Sequence, residues 1–207
     1  MKFAGTSKLG RLSTSLAALG FPPYYGKLPL RNLNKKGYIS PSAVICHQAT
    51  KFGAHIYIDD HVLLYQDNGG GFVEIGDNVH IHRDTIIQTG SGGTLTIGEG
   101  THIQPRCQFS AYKGPITIGL HAEIAPACAF YPYDHGMASG LSVREQQLKT
   151  KGGIRLEDDV WLGYGVVVLD GVCIGRGAVI GAGSVVTSDI PENGIAVGNP
   201  ARIIRTR

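Results

Sequence analysis

The sequence predicts an all-β solenoid of three-sided coils, and a six-residue repeat carries that prediction. From Leu156 onward every sixth residue is aliphatic: Leu156, Leu162, Val168, Ile174, Ile180 and Val186. A helix would repeat its apolar residues at about 3.6 positions and a half-buried strand at two, so neither explains this period. Three hexapeptides, each one short strand and one turn, would form one triangular coil whose equivalent residues stack on the next. Glycine agrees with many tight turns, because it fills 30 of 207 positions, about twice its usual share of roughly 7%.

The same period predicts further coils earlier in the chain. The inward positions continue through Ile75, Ile81, Ile87, Ile97, Ile103, Phe109, Ile118, Ile124 and Phe130. Ile39 and Ile45, each followed four residues later by Ala43 and Ala49, are expected to begin the series. The segments Asp67–Phe72 and Gly90–Thr94 are expected to be short insertions at corners, and Cys107 and Cys128 fall on small inward positions.

The longest interruption of the repeat is the segment 131–153, which begins YPYDHGMASG and contains His135. Connections of this length are uncommon in compact domains and are often functional. Pro132 and Gly136 are expected to produce sharp bends on either side of the histidine. Three further polar residues of the loop are expected either to orient His135 or to bind hydroxyl groups: Glu145, Gln146 and Gln147.

Charge is distributed unevenly, although the formal net charge is only +3. The first 58 residues contain eight basic side chains and no Asp or Glu: Lys2, Lys8, Arg11, Lys27, Arg31, Lys35, Lys36 and Lys51. Because the repeat begins at Ile39, we divide the chain into a basic N-terminal extension, 1–38, and a repeat domain, 39–205. The extension could face a membrane surface, a lipid-linked phosphate or a neighbouring subunit, or be a solvated tail. Within it, residues 8–19 are expected to form a short amphipathic helix that is too short to span a bilayer.

The four cysteines contain no CxxC pair, which disfavours both a disulfide framework and cysteine-bound zinc. A reducing compartment fits this usage, and no unit like a signal-peptide cleavage site follows the first helix. We expect a cytoplasmic protein that could touch a membrane peripherally, and we expect no nucleic-acid partner.

The C-terminal segment 158–205, DDVWLGYGVVVLDGVCIGRGAVIGAGSVVTSDIPENGIAVGNPARIIR, resembles the acetyl-CoA-binding end of maltose, galactoside and polysaccharide O-acetyltransferases. These belong to the hexapeptide-repeat acyltransferases, and the resemblance extends over 39–205. It implies a left-handed parallel β-helix with the loop 131–153 inserted. It also implies a homotrimer with sites in the clefts between subunits, acetyl-CoA as co-substrate and no metal.

Acetyl transfer from a thioester to a sugar hydroxyl needs a base, a stabilised oxyanion and two substrates held in contact. Histidine is suited to the base because its unperturbed pKa is near 6.5. The resemblance implies a catalytic histidine in a loop before the last coils, and His135 occupies that place. It also implies an aromatic near the acceptor or a subunit interface, which would be Trp161. Asp134, which adjoins the base, is expected to bind the substrate together with Trp161.

The resemblance assigns six residues to coenzyme A: Tyr164, Ala182, Thr187, Ser188, Arg202 and Arg205. Tyr164 and Ala182 are 18 residues apart, so they should stack on one corner, where related proteins hold the pantetheine arm. The two arginines match basic residues near the adenosine phosphates, and guanidinium groups bind phosphate oxygens well.

The predicted function is acetyl-CoA-dependent O-acetylation of a sugar or polysaccharide. Serine or amino-sugar N-acetylation on the same fold remains open, as do a zinc enzyme similar to γ-class carbonic anhydrases and a non-catalytic solenoid. The zinc enzyme would need three converging histidines, but no two histidines are five residues apart, and His80, His82 and His102 form the only candidate cluster. Histidines within the coils, such as His61, His80, His102 and His121, are expected to be surface or subunit-contact residues.

Overall fold

The computed structural model of the chain describes residues 6–20 and 26–207. Parts of the predicted extension, namely 1–5 with Lys2 and 21–25, lie outside the described residues. Helix α1 spans Lys8–Leu19, as predicted, and begins after Ser7, whose Oγ accepts a hydrogen bond from the backbone N–H of Gly10 at 3.1 Å. A 3₁₀ helix, Leu28–Leu33, follows before the solenoid. In the ranges described, no helix is both long and apolar enough to cross a bilayer.

The rest of the described residues form 22 short strands and one further 3₁₀ turn, Val143–Glu145. The strands are β1 (Tyr38–Ile39), β2 (Val44–Cys46), β3 (Thr50–Phe52), β4 (Tyr57–Ile58), β5 (Leu63–Gln66), β6 (Val73–Ile75), β7 (His80–Ile81), β8 (Ile86–Gly90), β9 (Leu95–Ile97), β10 (His102–Ile103), β11 (Gln108–Tyr112), β12 (Ile116–Ile118), β13 (Glu123–Ile124), β14 (Ala129–Tyr131), β15 (Ile154–Leu156), β16 (Trp161–Leu162), β17 (Val167–Leu169), β18 (Cys173–Ile174), β19 (Val179–Ile180), β20 (Val185–Val186), β21 (Gly194–Val197) and β22 (Arg202–Thr206).

Every third strand joins the same sheet, so the chain winds around three flat faces. Sheet A contains β1, β4, β7, β10, β13, β16, β19, β21 and β22; sheet B contains β2, β5, β8, β11, β14, β17 and β20; sheet C contains β3, β6, β9, β12, β15 and β18. All pairings are parallel except that of β21 with β22. We name the edges A–B, B–C and C–A after the sheets that the chain connects there. The seven strands of sheet B mark about seven coils, and the predicted fold class is confirmed.

The interior consists of the aliphatic residues that the period predicts. Leu156 pairs with Ile174 in sheet C and Leu162 with Ile180 in sheet A, and these side chains are buried. Phe109 and Phe130 stack inside sheet B with ring centroids 4.6 Å apart. Cys107 and Cys128 are also buried, as predicted. Each such column excludes water along the whole prism, and a fully buried aliphatic side chain contributes roughly 1.5–3 kcal/mol.

The number of residues that connect one sheet to the next varies from coil to coil at only one of the three edges. Across the A–B edge, successive inward residues are always six apart, as from Ile58 to Leu64, and the C–A edge is equally regular, as from Ile75 to Ile81. The B–C edge contains all the longer connections, including the predicted insertions 67–72 and 90–94 and the loop 131–153. The protruding loop therefore enlarges a connection that is also extended in earlier coils.

The first coil departs from the prediction. Ala49 is exposed rather than inward. The third face of this coil is filled by Phe52, which pairs with Ile75 and packs against the core. The reason is one extra residue at the B–C edge, which places Phe52 seven positions after Ile45 instead of six.

Left-handed backbone conformations produce the sharp corners. His61 and His121 lie at such corners, with φ of 56° and 55°. Glycine serves a second purpose where neighbouring coils approach closely. A Cβ at Gly163 would lie 2.6 Å from the backbone nitrogen of Ala182, so only glycine fits without moving one coil.

Candidate functional site

The loop 131–153 leaves the solenoid at the B–C edge and folds back on itself. The backbone N–H of Asp134 donates to the carbonyl of Lys149 at 2.9 Å, and the N–H of Lys149 donates to the carbonyl of Asp134 at 2.8 Å. The N–H of Gly136 donates to the carbonyl of Gln147 at 3.2 Å. His135 therefore lies between two cross-strand contacts, which hold its backbone in place.

Gln146 supports the same loop from within. Its Oε1 accepts a hydrogen bond from the N–H of Ala138 at 2.8 Å, and its Nε2 donates to the carbonyls of Ala138 and Leu141 at 3.1 and 3.2 Å. Its amide is therefore committed to the loop, contrary to the expectation that it would orient His135 or bind substrate hydroxyls. Gly136 is required for close packing rather than a left-handed bend, because a Cβ there would lie 2.7 Å from the Cβ of Gln146.

Asp170 anchors the end of the loop, a role that the sequence did not reveal. This buried carboxylate accepts hydrogen bonds from the backbone N–H groups of Lys151 at 2.5 Å and Gly153 at 3.1 Å, and from the hydroxyl of Thr150 at 3.0 Å. Asp170 follows β17 at the B–C edge, one coil beyond the loop. The dipeptide Asp170-Gly171 indicates a turn, but nothing in the repeat indicates partners 17 to 20 residues earlier.

His135 itself is exposed. Its ring lies 6.4 Å from the ring of Tyr133, which lies 5.8 Å from the ring of Tyr112 on the coil below. The carboxylate of Asp134 lies 4.0 Å from the Nζ of Lys151. The imidazole therefore faces solvent from a loop that is held by backbone hydrogen bonds, and it lies next to Tyr133 and, beyond it, Tyr112.

Tyr164 and Ala182 stack on the A–B edge. The backbone N–H of Gly183 donates to the carbonyl of Tyr164 at 2.8 Å, which fixes the two turns one above the other. Both side chains are exposed. These turns offer backbone polar groups and a small side chain along a smooth edge, which is an arrangement suited to a narrow, extended ligand.

Thr187 and Ser188 lie on a different edge. They follow β20 at the B–C edge, where both are exposed. The outer face of sheet B separates them from Ala182, and in this region it presents Ala129, Val167 and Val185 in register. The residues assigned to coenzyme A therefore flank one flat face rather than one corner.

Arg202 and Arg205 lie on β22, directly after the turn 198–201. That turn packs on the last coil, since the N–H of Gly198 donates to Ser184 Oγ at 2.9 Å and the N–H of Ala201 to the carbonyl of Val185 at 2.8 Å. Arg202 therefore begins near the A–B edge, on the side of Ala182. Arg205 pairs with Ile195 further along the strand, and both guanidinium groups are exposed.

Trp161 lies on the outer face of sheet A, and 54% of its surface is exposed. It lines a groove of about 450 Å³ with His121, Glu123 and Arg207. Sheet A lies opposite the B–C edge, so one chain does not bring Trp161 together with His135.

His80 is buried, contrary to the expectation for histidines within coils. Its ring stacks on that of His102 with centroids 4.2 Å apart and lies 6.0 Å from the ring of Tyr57. Burial, reinforced by the neighbouring His102, lowers the pKa of His80 to about 3. Parallel stacked rings do not direct their nitrogens toward one point between them. Among residues 6–20 and 26–207, no three His, Cys, Asp or Glu side chains are grouped to hold a metal ion.

Comparison with known proteins identifies the repeat. Residues 153–188 match the model of the family described as bacterial transferase hexapeptide (six repeats). This segment carries the bacterial transferase hexapeptide repeat. It is 48% identical over 71 residues to the galactoside O-acetyltransferase of Lactococcus lactis, covering 34% of this chain and 33% of that protein. It is 64% identical over 52 residues to a Schizosaccharomyces pombe protein named as an acetyltransferase, covering 25% of each.

These matches confirm the predicted resemblance to hexapeptide-repeat acetyltransferases. The aligned parts span about a quarter to a third of the length of the curated relatives. Two solved structures share the fold over most of the chain. AntD, an N-acyltransferase from Bacillus cereus, has a TM-score of 0.60 at 24% identity over 83% of this chain and 81% of that one. NeuO, a polySia-specific acetyltransferase, has a TM-score of 0.52 at 22% identity over 80% and 87%.

Proposed function

We propose that this protein is an acetyl-CoA-dependent O-acetyltransferase acting on a hydroxyl group of a sugar or polysaccharide, with His135 as general base. The observation that carries the proposal is the exposed imidazole of His135 on a loop held by internal hydrogen bonds and by Asp170. Sequence comparison supports the proposal independently of the loop geometry, through the hexapeptide match over 153–188 and the 48% identity over 71 residues to a galactoside O-acetyltransferase.

In the proposed reaction, His135 accepts the proton of the acceptor hydroxyl. The hydroxyl oxygen of the acceptor attacks the carbonyl carbon of the thioester at the same time. A C–O bond forms, the C–S bond breaks, and the imidazolium returns its proton to the departing thiolate of coenzyme A. General base catalysis of this kind contributes about 10²–10⁴-fold. The loop stem between Asp134 and Lys149 would hold the base in position between turnovers.

Coenzyme A would lie along the A–B edge at Tyr164 and Ala182, where exposed turns offer backbone donors and acceptors. Arg202, which starts on the same side of the prism, would contact a phosphate, and Arg205 would contribute from further along β22. Thr187 and Ser188 would contribute from the B–C edge. AntD has been crystallised in complex with coenzyme A, which supports this donor for the fold.

We further infer that the active site is shared between copies in a homotrimer. In one chain, the A–B edge and the His135 loop lie on opposite sides of sheet B. Strand β17 of this sheet has three residues, so the sheet is roughly 10 Å wide between them. Trp161 is on the opposite face of the same chain. A cleft between two prisms would bring the loop of one chain to an edge of the next, and would allow a tryptophan from another copy to contact the acceptor.

A screen of acceptors with acetyl-CoA tests the proposed function. The panel would contain galactosides, maltose, acidic polysaccharides, serine and an amino-sugar nucleotide, with free thiol release as the readout. We expect turnover with a saccharide and a product whose acetyl group is removed by hydroxylamine, which cleaves esters but leaves amides intact. An amide product would replace the O-acetyl assignment with N-acetylation. Absence of both turnover and thermal stabilisation by acetyl-CoA would overturn the proposal.

A further inference from the structure

Helix α1 is attached to the solenoid by its small residues. Gly10 and Thr14 are buried, and Ala18, four positions further, packs against the cluster of Leu30, Tyr38 and Tyr57. Residues spaced by four lie on one side of a helix, so this small-residue side faces the protein.

The leucines of α1 face the opposite way. Leu9, Leu12, Leu16 and Leu19 are exposed by 73, 57, 61 and 82%. Their spacing of three and four residues places them on one continuous stripe, directed away from the solenoid. A helix on the surface of a soluble domain normally buries its leucines, so this orientation indicates that something else covers them.

Exposed lysines lie near the start of the helix. Lys8 is exposed on the helix, and Lys35 and Lys36 are exposed at the rim of a groove of about 450 Å³. Thr6, directly before the helix, and Phe52 line the same groove. The sequence has no Asp or Glu before position 59. The first acidic side chains are already engaged, because Asp60 pairs with Lys27 at 2.8 Å and the buried Asp59 lies 3.5 Å from Arg83.

We propose that the leucine stripe of α1, together with Lys8 on the helix and with Lys35 and Lys36 in the groove beside its start, docks the protein on an anionic lipid bilayer. A helix that presents leucines on one side and lysines beside them lies in the membrane interface, with the leucines among the acyl chains and the lysines near lipid phosphates. A two-fold contact between copies through the same stripe would bring these lysines close to their own equivalents, which opposes association, whereas a cyclic trimer would place the stripe against a different surface of the next copy and is tested below. Negative lipid headgroups instead complement the lysines. The proposal does not depend on the proposed catalytic activity.

Vesicle flotation with the full-length protein tests the docking surface. The vesicles would contain phosphatidylcholine alone or equal parts of phosphatidylcholine and phosphatidylglycerol. We expect binding to the anionic vesicles, weaker binding at high salt, and little binding to phosphatidylcholine alone. Equal binding to both compositions, or to neither, would overturn the proposal.

Two variants locate the contact. Leu12→Ser/Leu16→Ser should weaken binding to anionic vesicles by at least about tenfold, because insertion scales with buried apolar area, and Lys35→Gln/Lys36→Gln should reduce the dependence on phosphatidylglycerol. The control Phe72→Ser/Leu120→Ser, which removes exposed apolar side chains from the solenoid, should bind normally.

Sedimentation velocity without lipid tests the alternative that the stripe joins two copies of the chain. If Leu12→Ser/Leu16→Ser dissociates an oligomer and leaves vesicle binding unchanged, the stripe is a contact between copies and the proposal is overturned. Acetyl transfer to a soluble acceptor is measured in parallel, so a failure of docking is distinguished from a failure of the proposed enzyme activity.

Discussion

The carboxylate of Asp170 accepts a hydrogen bond from the backbone N–H of Gly153 at 3.1 Å, at the point where the histidine loop rejoins the solenoid. The same carboxylate holds Thr150 and Lys151. A residue of the following coil therefore fixes the end of the loop. Asp170 would act on the proposed reaction by positioning His135 and not by touching substrate.

Asp170→Asn should lower kcat by about 10–100-fold with little change in the KM for acetyl-CoA, because loss of positioning affects the transition state more than binding of the donor. The amide group replaces an acceptor with a donor next to the N–H of Lys151, so one hydrogen bond must be lost. Steady-state kinetics with both substrates varied would measure the two effects separately.

The control for Asp170 is Asp77→Asn. Asp77 also accepts a backbone N–H across coils, from Ala54 at 2.7 Å, but far from the loop. It should reduce thermal stability slightly and leave kcat unchanged. Equal losses of kcat in the two variants would show that Asp170 matters only for stability.

His135→Asn should reduce turnover by about 10²–10⁴-fold and leave the fold intact, because the proposed base is lost while the exposed position tolerates a polar side chain. The matched control is His61→Asn, at an exposed corner with φ of 56°, a conformation that asparagine accepts. Thiol release and far-ultraviolet circular dichroism would be measured on both. Near-normal turnover of His135→Asn would remove this residue from the mechanism.

Arg202→Ala should raise the KM for acetyl-CoA by about 5–100-fold, the range expected for a lost charge-assisted contact with phosphate. Arg205→Ala should act in the same direction. If either arginine contacts the 3′-phosphate, its substitution should have no effect with acetyl-3′-dephospho-CoA. Arg176→Ala, on the C–A side, serves as the control. An unchanged KM in both β22 variants would contradict the assignment.

His80 should make folding sensitive to mild acid. Its pKa is about 3 in the folded protein because the ring is buried, whereas an unfolded chain titrates near 6.5. Between these values only the unfolded chain binds the proton, so the free energy of unfolding should fall by up to about 1.4 kcal/mol per pH unit as pH decreases from 6.5.

His80→Phe should make that decrease shallower while keeping an aromatic ring against His102. Urea unfolding between pH 7 and pH 4.5 would measure it. Asp60 does not interfere in this window: burial opposes its ionisation, but hydrogen bonds from Lys27 and Ser40 prevail and hold its pKa at about 2. The contribution of ionised Asp60 to the free energy of unfolding is lost only below about pH 4, as pH falls towards 2. An unchanged pH slope in His80→Phe would disprove the prediction.

The repeat predicted the core because burial recurs at a constant interval on two edges of the prism. Where an edge varies in length, the count is displaced, so that Ala49 is exposed and Phe52 takes the inward position one residue later than predicted in the first coil. His80 was misplaced for a different reason. Whether an outward residue is covered depends on its neighbours in space, here His102 and Tyr57, which come from other coils.

The candidate site was predicted in parts. Exposure of Tyr164 and Ala182 on one edge follows from their spacing of 18 residues. The hydrogen bonds of Asp170 and Gln146 do not, because the path of a long loop is outside the repeat.

The confinement of every extended connection to the B–C edge has a consequence for engineering. Because the stacked core and the other two edges do not depend on the length of that connection, the loop 131–153 can be exchanged without altering them. A transplanted loop of a different length would need only a stem of the right width and a carboxylate at position 170 to receive it.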